Sequence, residues 1–318
     1  MDGVAAPVVG NHRTRMSPLP GRRAAPLQGV PFTKMTGSGN DFVVFDARQL
    51  PPGVVMDPEL VGAICHRGNG IGADGVVVLE PRGEGEPVGV RYFNRDGSEG
   101  ALCGNATLCS TALASAWGAG ASAGMLLATG DGPVSARMVD GQPAIHLAAA
   151  RDVRLALPEI PVEAGGHAGF AVVGVPHLVV TCRDVARVDV AGTGPELRSH
   201  PAVGRAGANV NWVQPLPDGR WRYRTYERGV EGETLACGTG AVAAATLLAA
   251  WGLVAPTGDG RGTGVVAMVT SSGRTLTVTL PDRRLPEGEA DGGAVADARV
   301  QLSGEGRVVC TGVVGALW

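Results

Sequence analysis

The sequence contains no C-x-x-C pair, no basic block and no long uninterrupted apolar span. Its six cysteines, at 65, 103, 109, 182, 237 and 310, show no short paired spacing, and its six histidines are scattered. A zinc cage needs ligands grouped at short intervals, so no metal site is expected. Charged residues make up only 18% of the chain, with a net charge of −3. That leaves no basic footprint for a nucleic acid. No secretory hydrophobic region follows the first residues, and the longest apolar run is too short and too alanine-rich to span a bilayer. A cytoplasmic protein with reduced thiols and no membrane partner is expected.

What is present is apolar and glycine-rich. Hydrophobic residues make up 44% of 318 positions, enough for two domains or one large one. Fifty glycines lie between valine-rich segments, which implies many turns rather than low complexity. Residues 1–30 are rich in Pro, Arg, Gly and Ala without periodicity and are expected to be a disordered extension.

One stretch organises the rest. Ala236-Cys237-Gly238-Thr239-Gly240-Ala241 leads into an Ala/Leu-rich run that stops at Trp251-Gly252 with Pro256 beyond. This composition predicts a helix with Cys237 at its start. Orphan N–H groups and the helix dipole favour a thiolate there. The stretch occurs twice. A shift of 134 (237 − 103) superposes Cys103, Gly104, Leu113, Ala116, Trp117 and Gly118 on Cys237, Gly238, Leu247, Ala250, Trp251 and Gly252. A duplicated half related by a pseudo-two-fold would bring two helix N-termini and two thiols towards one cleft. The alternative is that each cysteine is a small buried hydrophobe.

Along the chain, residues 31–35 and 42–46 read as strands around the turn Thr36 to Asp41. Asn40 in that turn either presents its amide to a ligand or serves a plain hairpin. Asp57-Pro58-Glu59-Leu60 starts a helix running to about His66. Gly70, Gly72 and Gly75 spell G-x-G-x-x-G, but a helix precedes them and a strand follows, the reverse of a dinucleotide site. Further strands are predicted at 76–79, 90–93, 125–128, 134–138, 209–213, 221–225, 264–269, 275–280, 299–302 and 308–314. Residues 144–147 and 153–156 are expected to open the second half. Residues 171–181 read as a strand interrupted by Gly174-Val175-Pro176-His177, with His177 matching the Asn40 turn of the first half. Residues 286–293 read as a loop. Glu227-Arg228, ahead of Cys237, reads as a surface ion pair or as a clamp for an amine and a carboxylate.

Ordered blocks carry a resemblance. They are Lys34-Met35 with Gly37, Gly39-Asn40-Asp41-Phe42, Gly72-Ala73-Asp74-Gly75, Phe93-Asn94 with Asp96-Gly97-Ser98-Glu99, Cys103-Gly104-Asn105, Gly174 with Pro176-His177, Asn209-Val210-Asn211, and Glu227-Arg228-Gly229 running to Ala236–Ala241. Together they resemble the diaminopimelate epimerase family, cofactor-independent enzymes that interconvert LL- and meso-diaminopimelate. The resemblance runs from about residue 32 to the C-terminus.

It implies that Cys103 and Cys237 are the two acid/base residues. It places the α-carboxylate on the N–H groups around Gly104-Asn105 and Gly238-Thr239, and the substrate against Asn40, Asn94, Asn209, Glu227 and Arg228. His177 is implied as a support for the thiols. It further implies an α/β (α+β) fold of two pseudo-symmetric domains, each a mixed sheet or barrel around a central helix. The units are expected at 31–145, with a returning strand at 307–318, and at 146–306. A homodimer and a place in lysine and peptidoglycan precursor synthesis follow from the same resemblance. No cofactor is expected, and no lysine is placed for a Schiff base. One thiolate and one thiol on opposite faces of Cα suffice for epimerisation, and a helix N-terminus is a reasonable means of keeping one of them ionised. Two such facing thiols should also oxidise to a disulfide.

The chain departs from the family's pattern in places. The usual C-G-N-G-x-R-C reads Cys103-Gly104-Asn105-Ala106-Thr107-Leu108-Cys109, and the usual G-N-P-H reads Gly174-Val175-Pro176-His177. Val175 keeps one rival reading in view, a related epimerase or racemase acting on another amino acid; a second rival is a non-catalytic amino-acid-binding relative whose cysteines are inert. A phenazine-type isomerase is argued against by the two retained cysteines.

Overall fold

The computed structural model describes residues 26–83, 85–119, 124–254, 264–281 and 299–317. The valine-rich segments become strands. In order these are β1 (Pro31–Gly37), β2 (Asn40–Asp46), helix α1 (Pro58–Cys65), β3 (Gly75–Glu80), β4 (Val88–Asn94), β5 (Glu99–Gly100), helix α2 (Gly104–Ala116), β6 (Met125–Thr129), β7 (Gly132–Val139) and β8 (Gln142–Ala148). There follow β9 (Arg151–Arg154), β10 (Ala168–Val173), β11 (Val175–Thr181), helix α3 (Val190–Arg198), β12 (Asn209–Pro215), β13 (Trp221–Glu227), β14 (Gly232–Thr234), helix α4 (Gly238–Ala250), β15 (Val265–Val269), β16 (Thr275–Thr279), β17 (Arg299–Ser303) and β18 (Arg307–Val313).

The strand pairings repeat. β1–β2 is antiparallel, β2–β3 parallel, β3–β4 antiparallel and β4–β6 parallel, and β6–β7–β8 runs antiparallel. β10–β11–β12–β13–β15–β16–β17 follows the same sequence of directions. β8 pairs antiparallel with β17, so the two repeats share one continuous sheet. The outer edges are also equivalent: β9 lies on β10, and β18, the last strand, returns to β1.

Each repeat wraps one helix. α2 and α4 are apolar or small on every face and buried almost throughout, the pattern of a helix enclosed on all sides. The buried hydroxyls of Thr107, Ser110 and Thr111 in α2 donate to carbonyls four residues back and so need no other partner. α1 and α3 pack on the outside over separate clusters that include Ile64 and Phe93, and Leu197 and Trp212.

Several expectations change. Residues 1–25 lie outside the described residues, as does the loop expected at 286–293. The expected extension is too long, because Leu27 is fully buried and Gly29 N–H donates to the Val314 carbonyl. Residues 144–147 form a hairpin with β7 and end the first repeat rather than opening the second. The interrupted strand over 171–181 is a hairpin of two strands turning at Gly174, whose φ of 65° suits glycine. Register then fixes equivalence. Phe42 stands beside Gly75 where His177 stands beside Asn209. His177 is therefore the counterpart of Phe42, and Val175 the counterpart of Asn40.

Candidate active site

Cys103 and Cys237 are the N-cap residues of α2 and α4, both in extended backbone conformation. The two helix starts abut. A Cβ on Gly104 would stand 3.5 Å from Gly238 Cα, and one on Gly238 would stand 2.9 Å from Leu302 Cδ2. The two helix starts thus meet glycine to glycine, and of the two positions Gly238 is the one where Leu302 leaves no room for a side chain.

Cys237 is the more tightly held. Its Sγ accepts from the Gly240 N–H at 3.4 Å and lies 3.6 Å from Thr239 Oγ1. Its N–H donates to the Tyr223 hydroxyl at 3.2 Å, and that hydroxyl donates to the Cys237 carbonyl at 3.1 Å. The Cys103 carbonyl instead accepts from the backbone N–H and the hydroxyl of Thr107.

Burial pushes the Cys103 thiol up to about 11, and the Glu227 charge adds to this while the amides of Ala106 and Asn105 pull the other way. Burial and Glu227 push Cys237 up as well. Burial thus disfavours the thiolate at both positions. Desolvation works against the anion that the first-turn amides at each helix start favour.

The amides form a relay. Asn105 Nδ2 donates to Asn40 Oδ1 at 2.7 Å and, across the two repeats, to the Ala236 carbonyl at 3.2 Å. Asn40 Nδ2 donates in turn to Asp74 Oδ2 at 3.1 Å. Asp74 and Asp41 both pair with Arg67, and Asp41 also pairs with Lys34. Burial pushes the Asp41 carboxyl up, but hydrogen bonds from Arg67 and Lys34 prevail and hold it at about 2. The turn that carries Asn40 is thus anchored by a charged network. Asn105 Oδ1 is buried with no hydrogen-bond partner among the described residues. It remains an acceptor for a bound donor.

Glu227 turns inward, where it accepts from the Thr234 hydroxyl and interacts with the Cys237 thiol; burial raises its carboxyl above the usual range. Arg228 does not pair with it. Arg228 Nη1 donates to the Ala206 carbonyl at 3.1 Å, and its N–H donates to Asn209 Oδ1 at 2.9 Å. Asn94 accepts from the Tyr92 hydroxyl at 2.8 Å and donates to Ser98 Oγ at 3.0 Å.

His177 is fully buried, and burial pulls it down to about 3, so it is neutral. Its Nδ1 lies 3.3 Å from Asn211 Nδ2. Asn211 Oδ1 accepts from the Thr225 hydroxyl and crowds Gly240, where a Cβ would come within 2.3 Å of it. His177 therefore reaches the start of α4 through Asn211. Its Nε2 has no partner among the described residues.

The structure thus draws Cys103, Gly104, Asn105, Asn40, Cys237, Gly238, Thr239 and Glu227 into one linked group. Asn94 joins through Tyr92 and His177 through Asn211, while Asn209 and Arg228 bond to each other at the margin. Sequence reasoning missed Tyr92, Tyr223 and Thr225. Their signal was strand alternation: Tyr223, Thr225 and Glu227 share one face of β13, as Tyr92 and Asn94 share one face of β4.

The family model described as diaminopimelate epimerase matches residues 32–146 and 169–280. The chain belongs to the diaminopimelate epimerase family. A diaminopimelate epimerase from Gemmatimonas aurantiaca is 56% identical over 287 residues, covering 90% of this chain and 99% of that one. One from Aquifex aeolicus is 34% identical over 265 residues, covering 79% and 90%. As a member of this family the chain is an isomerase of the epimerase type. Among solved structures, a phenazine biosynthesis protein from Enterococcus faecalis aligns with a TM-score of 0.62 at 17% identity, covering 89% of this chain and 98% of that one. A hydroxyproline epimerase from Agrobacterium vitis aligns at 0.59 and 18%, covering 90% and 91%. At those identities the likeness is one of fold, the two-repeat architecture described above.

Proposed function

We propose that the chain interconverts LL- and meso-diaminopimelate by two-base proton transfer at Cα, with Cys103 and Cys237 as the pair and no cofactor or metal. The observation that carries this reading is the pair of N-capping cysteines on two helix ends that meet glycine to glycine. A Cα held between them has one thiol on each face. One thiolate removes the proton while the opposite thiol supplies another, and the reverse reaction exchanges the roles. Charge developing on the α-carboxylate is met by the N–H groups that open α2 and α4, around Gly104-Asn105 and Gly238-Thr239. Because burial raises both thiols, the bound substrate must favour ionisation of one of them. The substrate's ammonium groups and its carboxylate, set against Glu227 and the helix ends, supply the changed field.

Asn40, Asn94, Asn209, Glu227 and Arg228 are proposed as substrate contacts. His177, neutral and buried, is proposed to support the Cys237 side through Asn211 rather than to exchange protons itself. A homodimer in the cytoplasm, serving lysine and peptidoglycan precursor synthesis, completes the reading. Val175, at the place equivalent to Asn40, favours keeping a second substrate in view: an amino acid without the distal ionic end.

The test is proton NMR of LL-diaminopimelate in D₂O under reducing conditions without added cofactor, beside Cys103→Ala and Cys237→Ala. Loss of the α-proton signal with appearance of the meso form, abolished by either substitution, supports the proposal. Exchange that is faster on a monocarboxylic amino acid moves the substrate assignment. No exchange on any amino acid ends it.

A further inference from the structure

The hairpin turn between β1 and β2 is conformationally demanding. Gly37 pairs with Asn40, and the two residues between them both have positive φ, 54° at Ser38 and 107° at Gly39. Such a turn suits the twist of the strands but favours residues without a Cβ, and Ser38 has one. Ser38 is also fully buried. A backbone of this kind persists where its surroundings hold it. Asn40 follows directly, with its amide bonded to Asn105 and Asp74.

What lies over this turn comes from the other repeat. The turn between β15 and β16 is closed by the Thr270 N–H, which donates to the Arg274 carbonyl at 2.9 Å. Within it, the Ser272 hydroxyl donates to the Ser38 carbonyl at 2.6 Å. That hydroxyl is itself oriented. Its oxygen accepts from the Arg274 N–H at 3.4 Å and lies 2.7 Å from the Thr270 hydroxyl. A Cβ on Gly39 would overlap Ser272 Cβ, stand 2.8 Å from Ser272 Oγ and lie 3.3 Å from Leu235 Cβ. Gly39 is thus pressed between Ser272 and the segment that leads to Cys237.

The first repeat has no counterpart to this contact. By register, Thr129 stands where Thr270 stands. Its turn holds only Gly130 and Asp131 between Thr129 and Gly132, one residue fewer than Ser271, Ser272 and Gly273 between Thr270 and Arg274. The shorter turn rests on its own repeat, where the Asp131 N–H donates to the Ala101 carbonyl at 3.1 Å. At Gly174, in the turn equivalent to Ser38-Gly39, a Cβ would meet nothing within 4 Å among the described residues. The longer turn and its serine therefore serve the Asn40 turn and not its twin.

We infer that Ser272 of the second repeat is a positioning residue for Asn40 of the first: its hydroxyl holds the Ser38 carbonyl, its Cβ fills the space over Gly39, and together they set where the Asn40 amide stands. This rests on reading Asn40 as a substrate contact. The hydrogen bond fixes the peptide plane after Ser38, and so the direction in which the chain enters Gly39 and Asn40. Asn105 and Asp74 hold the amide from below, within the first repeat, while Ser272 holds the turn from above. Asn40 is therefore in place only when the two repeats are docked, as the two cysteine helices are.

The experiment compares Ser272→Ala, Asn40→Ala and the double variant with the wild type, by steady-state kinetics on LL-diaminopimelate and by amide hydrogen exchange read by mass spectrometry. Ser272→Ala keeps the Cβ and removes the hydroxyl. Its KM is expected to rise about fivefold, the scale of one neutral hydrogen bond. Its kcat should stay within about twofold, the mark of binding lost equally from ground and transition states. Exchange in the segment 36–42 should quicken about fivefold by the same scale, while exchange in α3 stays unchanged. In the Asn40→Ala background, Ser272→Ala should no longer raise KM. The inference is overturned if Ser272→Ala leaves exchange in 36–42 unchanged, or if it raises KM equally with and without Asn40. Thermal unfolding of each variant checks that the fold is retained. If Asn40→Ala alone leaves KM unchanged while Ser272→Ala quickens exchange, Asn40 falls as a substrate contact and the hold of Ser272 on the turn stands.

Discussion

Gly238 Cα lies 3.5 Å from the position a Cβ on Gly104 would take, so the helix that begins after Cys103 and the helix that begins after Cys237 meet without a side chain between them. The duplication visible in the sequence is thereby turned into a site. Two copies of one motif, placed face to face, bring together the glycines that follow the two N-capping cysteines.

The contact is unequal on its two sides, and the inequality is measurable. At Gly104 a methyl group meets only ordinary contact distances, whereas at Gly238 it meets the buried Leu302 methyl at 2.9 Å. Gly238→Ala is expected to cost about 1–3 kcal/mol of stability and to lower kcat, as overpacking does. Gly104→Ala should fall within about 0.5 kcal/mol, the range of a tolerated change. Chemical denaturation of both, and of Gly238→Ala combined with Leu302→Ala, checks this. The combined loss should be smaller than the sum of the single losses, since both act on one contact.

Asn105 ties the two repeats together through Asn40 Oδ1 and the Ala236 carbonyl. Asn105→Ala leaves both acceptors unpaired and should cost about 1–3 kcal/mol, the usual penalty for stranded polar groups. Because the same residue borders the thiols, kcat/KM should fall more than about tenfold, a loss of over 1.4 kcal/mol in transition-state stabilisation. Steady-state kinetics beside urea unfolding separates the two effects, and an active but merely less stable variant would deny Asn105 its place in the site.

Alkaline pH should find the buried thiols. Cys103 rises from an ordinary 9.0 to about 11 on burial. A thiol that ionises later in the folded than in the unfolded chain stabilises the fold below pH 9, and that stabilisation is lost as pH climbs towards 11. The melting temperature of the wild type should therefore drop across this window, and Cys103→Ser should flatten the drop. Equal slopes in the two proteins would mean that the thiol is not desolvated.

Acid pH tests His177 in the same manner and with the opposite sense. Burial takes it from 6.5 to about 3. The stability it confers is present above pH 6.5 and lost as pH falls towards 3, because the unfolded chain takes up the proton first. His177→Phe, which places a phenylalanine where the first repeat has Phe42, should reduce the acid-side loss of stability measured between pH 6.5 and pH 4.

What the sequence made legible were features written in local chemistry. Asp57 caps α1 through the Leu60 N–H, as its place before Pro58 suggests. The duplicated Cys-Gly pairs open the two enclosed helices. Features set by distant partners stayed hidden. α3 was missed because Gly192, Gly194 and Pro195 mask a helix whose one clear local mark is the Asp189 cap. Tyr92 and Tyr223 read as ordinary strand residues, since alternation gives a face but not what lies against it. The upward shift of the thiols was also out of reach, because it depends on burial by both repeats and on Glu227, none of which a helix N-terminus reveals.

The return of β18 to β1 has a consequence for how the chain reaches this state. The first repeat is translated early, yet the strand that covers the outer edge of β1 follows every other described element. A nascent chain must hold that edge open while the second repeat is made, and pairing across such a sequence separation is slow. A chain shortened before Arg307 would keep the edge uncovered, and an uncovered strand edge invites pairing with other chains. Shortening at that end is therefore expected to yield aggregation on refolding, even though both cysteine helices remain intact in the sequence.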